Sequence, residues 1–171
     1  NKFFQILRCA INVDIDVPKL SVSEWKQIYG MAQKQSLVAV IFPVLEKATP
    51  PSDDDAEKEV FGKMVLEWFG HIRAIVRMNL NVSANVVKIA EKFSQDGFEY
   101  CLLKGQGNGL LYPQPNLRIP GDIDILIRPK MYDHDKRNVI TDVKKTIEYV
   151  RAQYQDTKAS YHHIEYPRFN G

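Results

Sequence analysis

Gly121-Asp122-Ile123-Asp124-Ile125-Leu126-Ile127 is the stretch on which the reading of this chain turns. In an extended strand, successive side chains point to opposite faces. Asp122 and Asp124 therefore share one face, and Ile123, Ile125 and Ile127 share the other. The alternation reads as a strand over 123–127 with one buried side. Two neighbouring carboxylates repel each other and resist burial, and a divalent cation relieves both costs. Magnesium prefers hard oxygen ligands and fills the rest of its octahedral shell with waters or phosphate oxygens. The pair is thus a candidate metal site. A bare Asp-hydrophobe-Asp is weak by itself, because two acids at a strand edge can simply face water. The chain carries its own control in Val13-Asp14-Ile15-Asp16-Val17, where Pro18 follows at once and no glycine turn lies upstream. That copy reads as a surface loop.

The neighbours of 121–127 sharpen the reading. Upstream, Phe98 to Leu103 reads as a strand. Lys104-Gly105-Gln106-Gly107-Asn108-Gly109 reads as a glycine-rich turn, and a short helix over 109–112 is ended by Pro113 and Pro115. Glycines after a strand let backbone N–H groups approach a phosphate, and a following helix N-terminus favours negative charge. The spacing is not that of a P-loop, since Lys104 precedes the first glycine and no Gly-Lys-Ser/Thr follows, nor does it fit Gly-x-Gly-x-x-Gly. Downstream, residues 130–153 read as a charged amphipathic helix with Val139, Val143, Ile147 and Val150 inward. Tyr161 to Tyr166 reads as a third strand.

The first half is helical throughout. Phe3, Phe4, Ile6, Leu7 and Ala10 recur at helical spacing over 2–12. Ser23 reads as the N-cap of a helix running to about Gln35. A helix over about 37–47 carries Leu37, Val40, Ile41, Val44 and Leu45, with Pro43 inside it. Residues 48–52 form the clearest linker. Asp53, Asp54 and Asp55 suit the positive end of a helix dipole. From about 56 to 94, Ile72, Ile75, Val76, Leu80, Val86, Val87, Ala90 and Phe93 keep a 3.6-residue period, as one helix or as two broken near Gly62 or Asn81. Gly97 supplies the stop. Helices followed by alternating strands and helices make the class α+β, with a helical region over 1–95 and a smaller α/β part over 96–171.

Composition limits the functions open to such a chain. Its 171 residues are 44% hydrophobic and 26% charged, in the range of globular proteins. Lys and Arg number 23 against 21 Asp and Glu, so the net charge of +2 gives no electrostatic case for nucleic acid. No stretch approaches the about 18–20 apolar residues of a membrane span, and a reducing, cytoplasmic setting is expected. Cys9 and Cys101 are too few for a disulfide framework, and Cys101 within Tyr100-Cys101-Leu102-Leu103 reads as a small buried hydrophobe. His162 and His163 are adjacent, so on a strand they point apart and cannot chelate one metal; no cysteine stands by them to make a zinc site. His71 and His134 read as structural or solvent-exposed. The first residue is Asn1 and the last is Gly171, just past a segment that reads as one arm of a hairpin, so the chain is expected to be C-terminally incomplete.

Taken together, the strand, Leu102-Leu103-Lys104-Gly105, Leu111-Tyr112-Pro113, Arg118 and Gly121-Asp122-Ile123-Asp124-Ile125-Leu126 resemble the uncharacterised bacterial nucleotidyltransferases of the polymerase-β superfamily. Ser23-Glu24-Trp25 with Ala32, and the long helix leading into the strand, extend the resemblance over nearly the whole chain. It implies a minimal polymerase-β-like core, a mixed sheet with flanking helices, over 96–171. It also implies transfer of a nucleoside monophosphate from a nucleoside triphosphate such as ATP to an acceptor hydroxyl by a two-metal mechanism. Asp122 and Asp124 would be the catalytic ligands of Mg²⁺ or Mn²⁺. Gly105 would be the glycine of the turn, and Lys104, Gln106 and Arg118 would lie at the nucleotide. Two departures stand out. Gly105-Gln106 replaces the superfamily's Gly-Ser or Gly-Gly, so no serine hydroxyl meets the phosphate there. The third carboxylate is either Glu165, the acid on the last strand present, or an acid beyond Gly171. The chain by itself is therefore expected to bind nucleotide and metal with little transfer. The alternative reading is a degenerate, non-catalytic nucleotide-binding or interaction module.

Overall fold

The computed structural model describes residues 1–12, 15–112, 114–130, 138–153 and 164. Within them the chain is mostly helical with one small antiparallel sheet, an α+β arrangement. Helix α1 (Lys2–Ile11) buries Phe3, Ile6 and Cys9 along one stripe. Helix α2 (Val22–Lys34) begins earlier than its sequence suggests. Ser21, not Ser23, is the N-cap: its hydroxyl accepts the Glu24 N–H while the Glu24 carboxylate accepts the Ser21 N–H. This capping box satisfies two otherwise orphaned donors reciprocally, which a lone Ser23 could not do. Lys2 also hydrogen-bonds to Glu24, and this bond, followed by the Ser21 N–H, holds the Glu24 carboxyl below its ordinary range. Helix α3 (Val38–Lys47) runs through Pro43 and buries Val38, Ala39, Ile41, Phe42, Val44 and Leu45, so it is covered on most sides.

Helix α4 (Asp55–Gln95) is a single element of 41 residues. The acidic run opens it: Asp54 Oδ1 accepts the Ala56 N–H at 2.9 Å, and Asp55 and Glu57 occupy the first turn. Neither Gly62 nor Asn81 interrupts it. A helical glycine costs only about 1 kcal/mol against alanine, and tertiary packing overrides that. Phe61, Met64, Trp68, Ile72, Ile75 and Asn79 supply the packing as one unbroken buried stripe. The helix stops at Gly97, which takes a left-handed φ of 85°.

The chain divides into two compact units, Asn1–Leu80 with Leu111–Gly121, and Asn81–Leu110 with Asp122–Gly171. In the first, Trp68 is the hub. Its ring meets Trp25, Tyr29 and Phe42 at centroid distances of 6.2, 5.0 and 6.4 Å, in tilted or edge-on contacts that favour aromatic pairs. The Tyr29 hydroxyl bonds to His71 Nδ1 at 2.8 Å, which makes His71 a structural residue. Burial, and secondarily the charge of Glu67, raises the Tyr29 hydroxyl above its ordinary pKa.

In the second unit, β1 (Phe98–Leu102) leads through α5 (Gln106–Gly109) towards β2 (Ile125–Pro129), followed by α6 (Val139–Gln153). The strands pair antiparallel, with Phe98 opposite Pro129 and Leu102 opposite Ile125. Glu99 stands directly opposite Arg128 and accepts from its Nε at 2.8 Å. Ile89, Phe93 and Phe98 form the core, with Ile123, Ile125, Ile127 and Tyr149 packed against it.

Several local expectations are corrected. The second strand starts at Ile125 rather than Ile123, because the register would place Ile123 opposite Lys104, where β1 has already turned away. The short helix forms at Gln106–Gly109, not over 109–112. Cys101 is exposed, not buried, since it lies in the row of β1 side chains that alternates away from Phe98. In α6, Val150 is buried but Val139 is 70% exposed and Val143 is also exposed. The helix is anchored by its C-terminal half, where Tyr149 lies 4.4 Å from Phe98 between ring centroids. The expected strand over 161–166, apart from Ile164, lies outside the described residues, as do Val13, Asp14, His134, His162, His163 and Glu165.

Candidate functional site

Backbone pairing fixes the approach to the candidate carboxylates. The Leu103 N–H donates to the Asp124 carbonyl at 2.9 Å, which carries the ladder one step beyond β1 and holds Asp124 extended just ahead of β2. From there the alternation persists. Ile123, Ile125 and Ile127 all pack on the core, while Leu126, on the opposite side, is 56% exposed. Asp122 and Asp124 belong to that outward side; Asp122 is exposed and Asp124 half-buried. Lys104 Nζ lies 3.2 Å from Asp124 Oδ2, with both side chains open to solvent.

Glycine is required at two places in the turn beside them. Gly105 has φ 60° and ψ −114°, a combination that side chains disfavour, and a Cβ there would stand 3.3 Å from the Asp122 carbonyl oxygen. At Gly107 a Cβ would come within 2.8 Å of the Leu102 carbonyl oxygen, too close for any side chain. The turn is closed by its own backbone: the Gly107 N–H donates to Lys104 and the Gly109 N–H to Gly105, at 3.1 and 2.9 Å. Its tight return is what lays Gly105 against the Asp122 backbone. The Gln106 amide donates to the Ser83 hydroxyl of α4 at 3.4 Å. Sequence reasoning passed over Ser83, and nothing in a helical pattern could have singled it out.

Lys104, Gly105, Gln106, Asp122 and Asp124 thus all fall in the second unit, and Arg118 falls in the first. Arg118 is half-buried, and its Nη1 is buried without a hydrogen-bond partner among the described residues. Asp122 and Asp124 offer carboxylate oxygens only, a hard donor pair that suits magnesium or manganese and not a zinc site. Among the described residues no group of three or more His, Cys, Asp or Glu side chains could hold a metal ion. Among them, too, no helix is long and apolar enough to cross a membrane.

A family model described as an uncharacterised nucleotidyltransferase matches residues 21–166 of the chain. The match spans both units and includes Lys104, Arg118, Asp122 and Asp124. No curated protein and no solved structure matches it.

Proposed function

We propose that this chain, which belongs to the uncharacterised nucleotidyltransferase family, binds magnesium or manganese through Asp122 and Asp124 and transfers a nucleoside monophosphate from a nucleoside triphosphate to an acceptor hydroxyl. The supporting observation is the outward side shared by Asp122 and Asp124, beside a turn that only glycine can make at Gly105. The same reading gives the second unit a polymerase-β-like core.

In the transfer, the acceptor oxygen bonds to the α-phosphorus as the bond to pyrophosphate breaks, and the hydroxyl proton leaves to a carboxylate base, for which Glu165 is one candidate. A bound divalent cation supplies Lewis-acid charge for the entering and leaving oxygens. The chain's own part is to hold and neutralise. Asp122 and Asp124 provide the ligand oxygens. Lys104, paired with Asp124 in the structure, has the reach to exchange that carboxylate for a phosphate oxygen. Gly105, with no side chain in the way, opens the turn's backbone to the nucleotide, and Gln106 and Arg118 complete the proposed contacts. Little covalent chemistry falls to such a site, so positioning and charge stabilisation are its main work.

Calorimetry of Mn²⁺ binding with and without ATP tests this reading. Wild type should bind Mn²⁺ more tightly when ATP is present, and Asp122→Asn should lose most of that affinity. Equal affinities in the two proteins would remove the two-carboxylate site. One observation favours the second reading, a non-catalytic nucleotide-binding module: Lys104 already neutralises Asp124 without a cation. Nucleotide binding that persists undiminished in a chelator would decide for it.

A further inference from the structure

The outward side of the β1–β2 pair carries more than the two acids. Along the register, Glu99 stands opposite Arg128 and Cys101 opposite Leu126, and the Leu103 N–H on the Asp124 carbonyl sets Leu103 opposite Asp124. Side chains two places apart share a face, so Asp124, Leu126 and Arg128 lie beside Leu103, Cys101 and Glu99, all within the second unit. The face is therefore built in three rows, each about 7 Å from the next. The first holds Asp124, with Lys104 on its carboxylate, and Leu103. The second is Leu126 and Cys101, both exposed. The third is the Glu99–Arg128 ion pair. An antiparallel sheet with one wet face ordinarily alternates apolar inside and polar outside. Leu103, 43% exposed, and Leu126 break that rule, and they do nothing for the core, which Ile125 and Ile127 already cover. Single exposed leucines are ordinary, but two leucines and a thiol that adjoin one another and a candidate metal pair form a contiguous apolar patch. Ligand sites join such apolar ground to a few polar groups that fix orientation. A nucleoside triphosphate has both parts, an anionic end for the charged row and a flat base with apolar faces.

We propose that Leu103, Leu126 and Cys101 form the platform on which the base of the bound nucleoside triphosphate lies, while its phosphates are held at Asp122, Asp124 and Lys104. This rests on the nucleotidyltransferase reading above and adds to it the side chains that meet the nucleoside. A patch with no part in binding would be indifferent to whether the ligand carries a base. A platform responds to the base and not to the phosphates.

Inorganic tripolyphosphate separates the two, because it carries the anionic end of the ligand without sugar or base. Cys101 supplies the readout. The chain has two cysteines and Cys9 is buried, so N-ethylmaleimide should alkylate Cys101 in the native full chain, the site being read by peptide mass spectrometry. ATP, GTP, CTP and UTP are each titrated with Mn²⁺, and the tightest serves as the probe. At saturation it should slow Cys101 alkylation severalfold, whereas tripolyphosphate with Mn²⁺ should leave the rate unchanged. Leu126→Ala should weaken binding of the nucleoside triphosphate by about tenfold, the scale of aliphatic carbons no longer covered, and leave tripolyphosphate binding as it is. Leu126 is exposed, so the substitution should barely move Tm. Unchanged alkylation beneath a bound nucleoside triphosphate overturns the platform, as does equal protection by tripolyphosphate. So does a Leu126→Ala variant in which the two ligands change alike; in each case the phosphate and metal site stands. Should tripolyphosphate not bind, the alkylation rate and the Leu126→Ala affinity for the nucleoside triphosphate decide alone. If no nucleoside triphosphate binds with Mn²⁺, the nucleotidyltransferase reading fails, and the platform fails with it.

Discussion

Among the described residues, the two units of this protein are built on different amounts of buried apolar surface. In the first, Trp25, Ile28, Ile41, Leu45, Trp68 and Ile75 are all but inaccessible, and three aromatic rings converge on Trp68. In the second, the core cluster is Ile89, Phe93 and Phe98, ringed by side chains that are only partly covered. The thinner unit is the one that carries Asp122, Asp124 and Lys104. Carboxylates proposed to take a cation must stay wet, and an extended segment that buries one side and exposes the other provides this. A helix packed on most sides, like α3, could not offer two adjacent acids to solvent without leaving charges buried. Dense packing and accessible charge are thus placed in different parts of the chain.

The hardest test of that contrast is Trp68→Ala. Emptying the hub of the first unit should cost about 3–5 kcal/mol in urea unfolding. A loss below about 1 kcal/mol, typical of exposed sites, would mean that the aromatic cluster is not the source of stability. Next in size is Gly105→Ala, which imposes a side chain on a glycine-only backbone conformation and should cost about 1–3 kcal/mol. Both tryptophans of the chain lie in the first unit, so their native fluorescence should be unchanged in this variant. A changed spectrum would show that the damage is not confined to the turn. Lys104→Met should weaken ATP·Mn²⁺ binding by about tenfold, yet barely move Tm, because an exposed ion pair contributes about 0–1 kcal/mol. Loss of the fold would instead make Lys104 structural.

The smallest effect concerns acid. The Tyr149 hydroxyl donates to the Asp96 carboxylate, Lys92 pairs with it at 3.0 Å, and these bonds, the first above all, hold Asp96 below its ordinary range. A carboxylate depressed in the folded state stabilises above its unfolded pKa and loses that contribution as pH falls through its folded pKa. Tyr149→Phe should therefore raise the Asp96 pKa towards its ordinary value, as read by NMR titration. It should also lower stability near neutral pH, with the two proteins converging in strong acid. An unmoved Asp96 titration would show that Lys92 alone sets it.

Periodicity in the sequence determined the helices of the first half and the sidedness of the aspartate segment, because both depend on local geometry. A residue two places along an extended chain returns to the same side whatever it packs against, so Ile123, Ile125 and Ile127 turn inward and their acidic neighbours outward. The glycine turn was legible for the same local reason, since Gly105 needs a conformation that other residues avoid. Other features depend on a partner distant in sequence, and only the tertiary structure decided them. Where β2 begins depends on where β1 stops. Whether Val139 or Val150 is covered depends on which turns of α6 meet the sheet. Cys101 is exposed because its row of β1 faces away from the core, and the long helix is continuous because its buried stripe outweighs Gly62. Asn79 is the clearest case. In the sequence it is one polar residue in a helical run, and its meaning lies in carbonyls more than thirty residues away that no periodicity could bring to it.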